Sequence, residues 1–206
     1  MIPQLARLPE QEAAARFRRR LEVVRQLGLA GHLRGVEQTP ETSFVLAAAL
    51  RAYPKARAVH MVRDGRDVVC SLLERGWLGA DRAGSDDAGV AYGAHPRFWV
   101  EPERADEFRS ASEARRAAWA WRRYVSAARA VPERTLEIRY EELVSEPEPV
   151  AKRLSEYLDL ELEPLRASLS KAFDRSVGRY TKDLTPDQLA EVEAEAGEVL
   201  AELGYL

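Results

Sequence analysis

The sequence predicts an α/β fold, a parallel sheet with helices on both faces, and three observations carry that prediction. A short apolar run at 56–62 and a second short segment at 134–139 read as strands. Helical patterns separate the two runs, and parallel strands require such a crossover. At 206 residues and 46% hydrophobic content the chain can bury one core of ordinary size, so a single domain spanning 1–206 is expected.

The elements follow in order. Phe17, Leu21, Val24 and Leu27 recur at helical spacing after Pro9, and Gly28 supplies a stop, so a first helix is predicted over about 10–27. Its basic residues at 16–20 read as a solvated face, because Phe17 and Leu21 interrupt them at core spacing. A short extended piece at 34–37 leads into Thr39-Pro40-Glu41, which combines an N-cap residue, a proline at N1 and an acid in the first turn. The helix it starts runs to Tyr53-Pro54. After the strand at 56–62 comes a tight turn and a helix over 68–74. Gly, Asp, Pro and Arg dominate 76–110, which reads as a long irregular insertion or lid loop. Further helices are predicted at 112–129, 147–158, 164–172 and 186–202, the last opened by Thr185-Pro186-Asp187-Gln188, a capping box with proline at N1.

Composition narrows the function. The net charge is -3 with acids and bases interleaved, which is not the footprint of a nucleic-acid or anionic-membrane binder. One cysteine, Cys70, excludes a disulfide framework and a cysteine-based zinc site. No stretch approaches the ~20 apolar residues of a membrane helix, and no leader is apparent, so a cytoplasmic location is expected. The arginine- and alanine-rich usage, with four lysines among 31 basic residues, suggests a GC-rich bacterial genome.

The segment 62–73 concentrates the chemistry. A basic residue, Arg63, ends a strand and is followed by a glycine turn and a helix start. Free N–H groups and the positive end of the dipole favour an anion there, and Arg63 can add a charge-assisted pair. Asp67, Ser71 and Glu74 share one helical face, leaving Ser71 free to meet a ligand. The competing reading is that Arg63, Asp64, Arg66 and Asp67 only pair with one another on the surface. His60, inside an apolar strand, reads as a satisfied core residue, while His32 and His95 lack a metal-like partner. Trp77, Trp99 and Trp119 fit either an acceptor pocket or ordinary packing.

Three ordered segments resemble the sulfotransferases that use 3'-phosphoadenosine-5'-phosphosulfate (PAPS), especially the bacterial ones. They are Glu37-Gln38-Thr39-Pro40 with the run from Tyr53 to Ser71, then Leu136-Glu137-Ile138-Arg139-Tyr140-Glu141-Glu142-Leu143, and finally Ser176-Val177-Gly178-Arg179-Tyr180 with the last helix. The resemblance extends from about residue 35 to the end, with a gap in the loop. It implies a P-loop-like fold, PAPS as co-substrate without a metal, and a small-molecule or glycan acceptor carrying a hydroxyl or amine. It also implies that Arg63 and Ser71 hold the 3'-phosphate, that Tyr140 lies near the adenine, and that Gly178 and Arg179 belong to a loop over the phosphate. Glu37 is the best placed acid to activate the acceptor, although a salt-bridged surface carboxylate fits it equally.

Two departures from the family pattern bear on activity. Residues 1–34 contain no apolar strand followed by a Gly/Ser/Thr loop of the kind that clamps the 5'-phosphosulfate, so the first strand and phosphate loop are expected to be missing. Gln38 stands where related sequences usually carry a lysine. Slow or absent transfer is therefore expected, with a non-catalytic nucleotide-binding or interaction module as the alternative. An incomplete sheet would also leave an open edge beside 57–62 and favour self-association.

Overall fold

The computed structural model of the protein describes residues 3–31, 35–78, 98, 100 and 102–206. After a 3₁₀ turn at Pro3–Arg7 come α1 (Glu10–Ala30), a 3₁₀ turn at Pro40–Val45 that runs into α2 (Leu46–Ala52), β1 (Ala58–Val62) and α3 (Gly65–Glu74). The second half contains α4 (Ala105–Ser110), α5 (Glu113–Ala128), β2 (Thr135–Arg139), α6 (Tyr140–Ser145), α7 (Pro147–Leu158), α8 (Leu162–Leu169), α9 (Tyr180–Asp183) and α10 (Pro186–Glu202).

The strands β1 and β2 pair in parallel, with Ala58 opposite Thr135 and Val62 opposite Arg139. Because side chains alternate along a strand, Ala58, His60 and Val62 face one way and Val59 and Met61 the other. Val62 enters a core with Val69 of α3, Trp119, Trp121 and Val125 of α5, and Val192, Ala196 and Leu200 of α10. On the opposite face Ile138 packs against Leu143, Val150 and Leu154 of α6 and α7. Helices thus cover both faces, as the sequence predicts. A third cluster joins Leu5, Ala13, Ala14 and Phe17 to Val45, Ala48, Ala49 and Ala52, so α1 packs on α2 rather than on the sheet. The core expected from length divides, among the described residues, into two clusters on the sheet and a third between α1 and α2.

Side-chain caps set the starts of α3, α5 and α10. Thr185 and Gln188 form the predicted reciprocal capping box of α10. Asp64 caps α3 by accepting from Arg66 N, so that helix begins at Gly65 and not at 68. Thr39 makes no side-chain cap; residues 35–39 run without strand pairing, and the first turn after Pro40 is 3₁₀. The irregular stretch anticipated over 76–110 ends in a 3₁₀ turn and α4, where acids in the first turn and the burial of Phe108 against Trp119 favour a helix. Most of that stretch, including Trp99 and His95, lies outside the described residues, as does His32. The helix expected over 164–172 is displaced to Leu162–Leu169, and α6 and α9, one turn or so each, were not anticipated. His60, expected as a satisfied core residue, is half-buried and paired: Nδ1 lies 3.1 Å from Glu137 Oε2, and burial lowers its pKa despite that partner.

Gly65 is required by packing. A Cβ there would sit 2.7 Å from the Trp121 ring, whose Nε1 is anchored on the Arg63 carbonyl at 3.1 Å. Gly65→Ala is therefore expected to lose ~1–3 kcal/mol from overpacking, read as a lower midpoint in chemical denaturation. An unchanged midpoint would show that the indole can yield.

Candidate functional site

Arg63 follows the last residue of β1, and its side chain turns towards the loop before α9. Nη2 donates to the Ser176 carbonyl and lies 3.5 Å from Asp67 Oδ2, while the guanidinium rests 5.1 Å from the centre of the Tyr140 ring. Its Nε is buried and has no hydrogen-bond partner among the described residues. One donor of a fixed cation is thus left unspent, which is costly in a folded protein. The Tyr140 hydroxyl donates to the Phe173 carbonyl at 2.7 Å, so the tyrosine both floors Arg63 and holds the same loop.

Asp67 is the hub of this region. Its side chain is 1% exposed, Oδ2 accepts from Gly178 N at 2.8 Å, and Oδ1 accepts from Tyr180 N at 3.0 Å. Gly178 adopts φ +72°, a left-handed conformation that a residue with Cβ resists, and that conformation presents its amide to the carboxylate. The sequence places Asp67 on the Ser71 face and offers it only as an ion-pair partner for a neighbouring arginine. The missed signal was two backbone donors more than a hundred residues away.

Ser71 stands one turn along the same face of α3, half-buried, and no described residue bonds its hydroxyl. Arg179 is not left open to solvent: Nε bonds Asp183 and Nη1 bonds Glu74 at 3.0 Å, and these carboxylates, Asp183 first, raise its pKa. The four charges at the start of α3 do pair, as the competing reading supposed, but in a buried setting. Asp64 binds Arg66 through Nε at 3.0 Å and Nη2 at 2.7 Å, and Arg66 also reaches the Tyr205 carbonyl and stacks on Tyr180. Asp64 also takes up one first-turn amide of α3. Glu141 completes the frame by accepting from Asp64 N and from the Tyr205 hydroxyl.

The structure therefore brings together Arg63, Ser71, Tyr140, Gly178 and Arg179 around Asp67. A family model for sulfotransferases matches residues 4–164, most of the chain. The chain belongs to the sulfotransferase family. The matched span includes Arg63, Ser71 and Tyr140, starts well before residue 35, and ends ahead of Gly178, Arg179 and the last helix. No curated protein and no solved structure matches the chain.

Other parts of this sulfotransferase-family chain are less engaged. Glu37 is exposed, and its Oε1 accepts from Thr39 N at 2.9 Å, a local turn that leaves the second carboxylate oxygen uncommitted. Trp119 is buried against Phe108 and beneath Arg104, which is packing, and Trp77 is stacked by Arg75. Burial pushes the Cys70 thiol up to about 11, which removes it as a nucleophile at neutral pH. Beside the site a groove of ≈ 700 Å³ is lined by Arg139, Glu141, Glu142, Val144, Ser145, Asp174 and Val177. Among the described residues no group of three His, Cys, Asp or Glu could hold a metal ion, and no helix is long and apolar enough to cross a membrane.

Proposed function

We propose that this protein transfers a sulfuryl group from PAPS to a hydroxyl or amine on a small-molecule or glycan acceptor in the cytoplasm. The observation that carries the proposal is Arg63, a half-engaged cation with a buried Nε that no described residue bonds, set against Tyr140. In this reading Arg63 and Ser71 take the 3'-phosphate, Tyr140 lies near the adenine, and the Gly178–Arg179 loop closes over the nucleotide. The acceptor oxygen or nitrogen attacks sulfur as the bond from sulfur to the phosphate oxygen breaks. Glu37 takes the acceptor proton, and adenosine 3',5'-bisphosphate leaves. The protein supplies positioning and charge stabilisation to this in-line step, and no redox chemistry.

Calorimetry with adenosine 3',5'-bisphosphate tests the nucleotide half. Binding should weaken by ~1.5–3 kcal/mol in Arg63→Ala, the range for a hydrogen bond to a charged group. Equal affinity for adenosine 5'-monophosphate would overturn the assignment, since the 3'-phosphate is the group the site reads. A second reading, a nucleotide-binding module without chemistry, is favoured by Gln38, which brings no positive charge next to Glu37. Labelled PAPS with a panel of phenols, sugars and amines separates the two, and turnover ~10²–10³ below ordinary enzymes is expected when one preorganised stabilising group is lacking.

A further inference from the structure

We propose that α5 gauges the distance between the two halves of this site, with Trp121 and Tyr124 as its positioning residues. The inference rests on reading Arg63 as the nucleotide anchor and Glu37 as the acceptor's base. Trp121 Nε1 donates to the Arg63 carbonyl at 3.1 Å, and its ring fills the space beside Gly65 at the start of α3. The nucleotide half is thereby fixed to one point on α5. Three residues along, the Tyr124 hydroxyl donates to Glu41 Oε1 at 3.1 Å.

Glu41 is a carboxylate only 7% exposed, held in the turn that follows Pro40. Burying a carboxylate is unfavourable unless it is bonded, so the Tyr124 contact decides where that turn can rest. From Glu41 back to the acceptor end the chain is short and stiff. Pro40 fixes its own φ and restricts Thr39, and Thr39 N is already bonded to the Glu37 carboxylate. A bonded path therefore runs from Glu37 through Thr39, Pro40 and Glu41 to Tyr124, along ~4.5 Å of helix rise to Trp121, and on to Arg63. The helix is well braced for the task, since Ala117, Ala118, Trp119 and Val125 are buried in the main core.

Local stability alone would not require both contacts to lie within one turn of one helix. In-line transfer does, because a misplacement of ~1 Å can reduce the rate ~10²-fold. Phe44 meets the Tyr124 ring edge-on at 4.8 Å, so removing the hydroxyl leaves the ring in place. Tyr124→Phe is thus a clean test. Turnover of PAPS should fall ~10–100-fold while affinity for adenosine 3',5'-bisphosphate stays at the wild-type value. Glu41→Gln keeps an acceptor oxygen and should retain most of the wild-type rate, whereas Glu41→Leu should match Tyr124→Phe. Trp121→Phe should instead weaken nucleotide binding.

Amide exchange gives a readout that does not depend on the reaction. In Tyr124→Phe, amides at 41–45 should exchange at least ~10-fold faster, with those at 66–74 unchanged. Wild-type exchange at 41–45, or wild-type turnover in Tyr124→Phe, would overturn the gauge. A wild-type chain that neither binds adenosine 3',5'-bisphosphate nor uses PAPS would remove the proposed reaction, and the exchange result would still decide whether α5 holds the turn.

Discussion

Asp67→Ala is expected to detach the loop at 176–180 from α3 and to abolish measurable nucleotide binding. The carboxylate accepts from two backbone amides and stands 3.5 Å from Arg63, in a position with 1% exposure. Removing one member of a buried charge arrangement costs ~3–5 kcal/mol, because the groups left behind stay buried without a partner. Here those groups are Gly178 N, Tyr180 N and the Arg63 guanidinium. Arg63 would lose the carboxylate that orients it while keeping its charge, and the loop would lose both of its backbone anchors to α3, keeping the Arg179–Glu74 bond. Asp67→Asn is informative as the milder change. It retains one acceptor oxygen for one amide but turns an NH₂ group towards the other donor, so its loss should fall between wild type and alanine. Urea denaturation and calorimetry with adenosine 3',5'-bisphosphate read the two consequences separately. Wild-type stability in Asp67→Ala would show that the loop is held by other contacts.

The same residue shows where the sequence is legible and where it is not. Features written in adjacent residues were read correctly: α7 and α10 have the predicted bounds, because prolines at N1 and the Thr185–Gln188 box mark them locally. The strands β1 and β2 are legible because each is a short segment with β-branched residues set between helical patterns. The start of α3 was misplaced because Gly65-Arg66-Asp67 looks like a turn until Asp64 is seen to cap it. One-turn elements such as α6 and α9 are too short to show a period. In the candidate site, Arg63 and Ser71 stand out in the sequence and Tyr140 through the family resemblance, whereas Asp67, Glu41 and Tyr124 act through partners 83 to 113 residues distant. Nothing in local composition distinguishes such an acid from the many solvated ones on this chain. Arg179 illustrates the converse, since a residue picked for its charge spends that charge on Glu74 and Asp183.

The sheet edge yields the second large effect. Among the described residues the sheet has two strands, and no described group bonds the backbone of β1 on the side away from β2. Next to that edge Val59 and Met61 point to the face covered by α7 over β2, yet they are 38% and 45% exposed, so the helix layer stops short of β1. The segment 58–62 carries no lysine, proline or acid of the kind that discourages edge pairing. Unsatisfied N–H and C=O groups beside exposed apolar side chains favour pairing with another chain over solvation. Sedimentation of the purified protein is therefore expected to show concentration-dependent self-association, with fast amide exchange along β1 at high dilution. Met61→Lys should shift the chain to monomer at every concentration, because a charge at the edge must be desolvated when a second strand docks. Ser71→Lys, a charge added at the nucleotide face instead, should leave association unchanged and separate an edge effect from a general gain in charge. A monodisperse wild-type monomer whose 58–62 amides are protected to the global unfolding limit would mean that the edge is covered, and self-association through it would be abandoned.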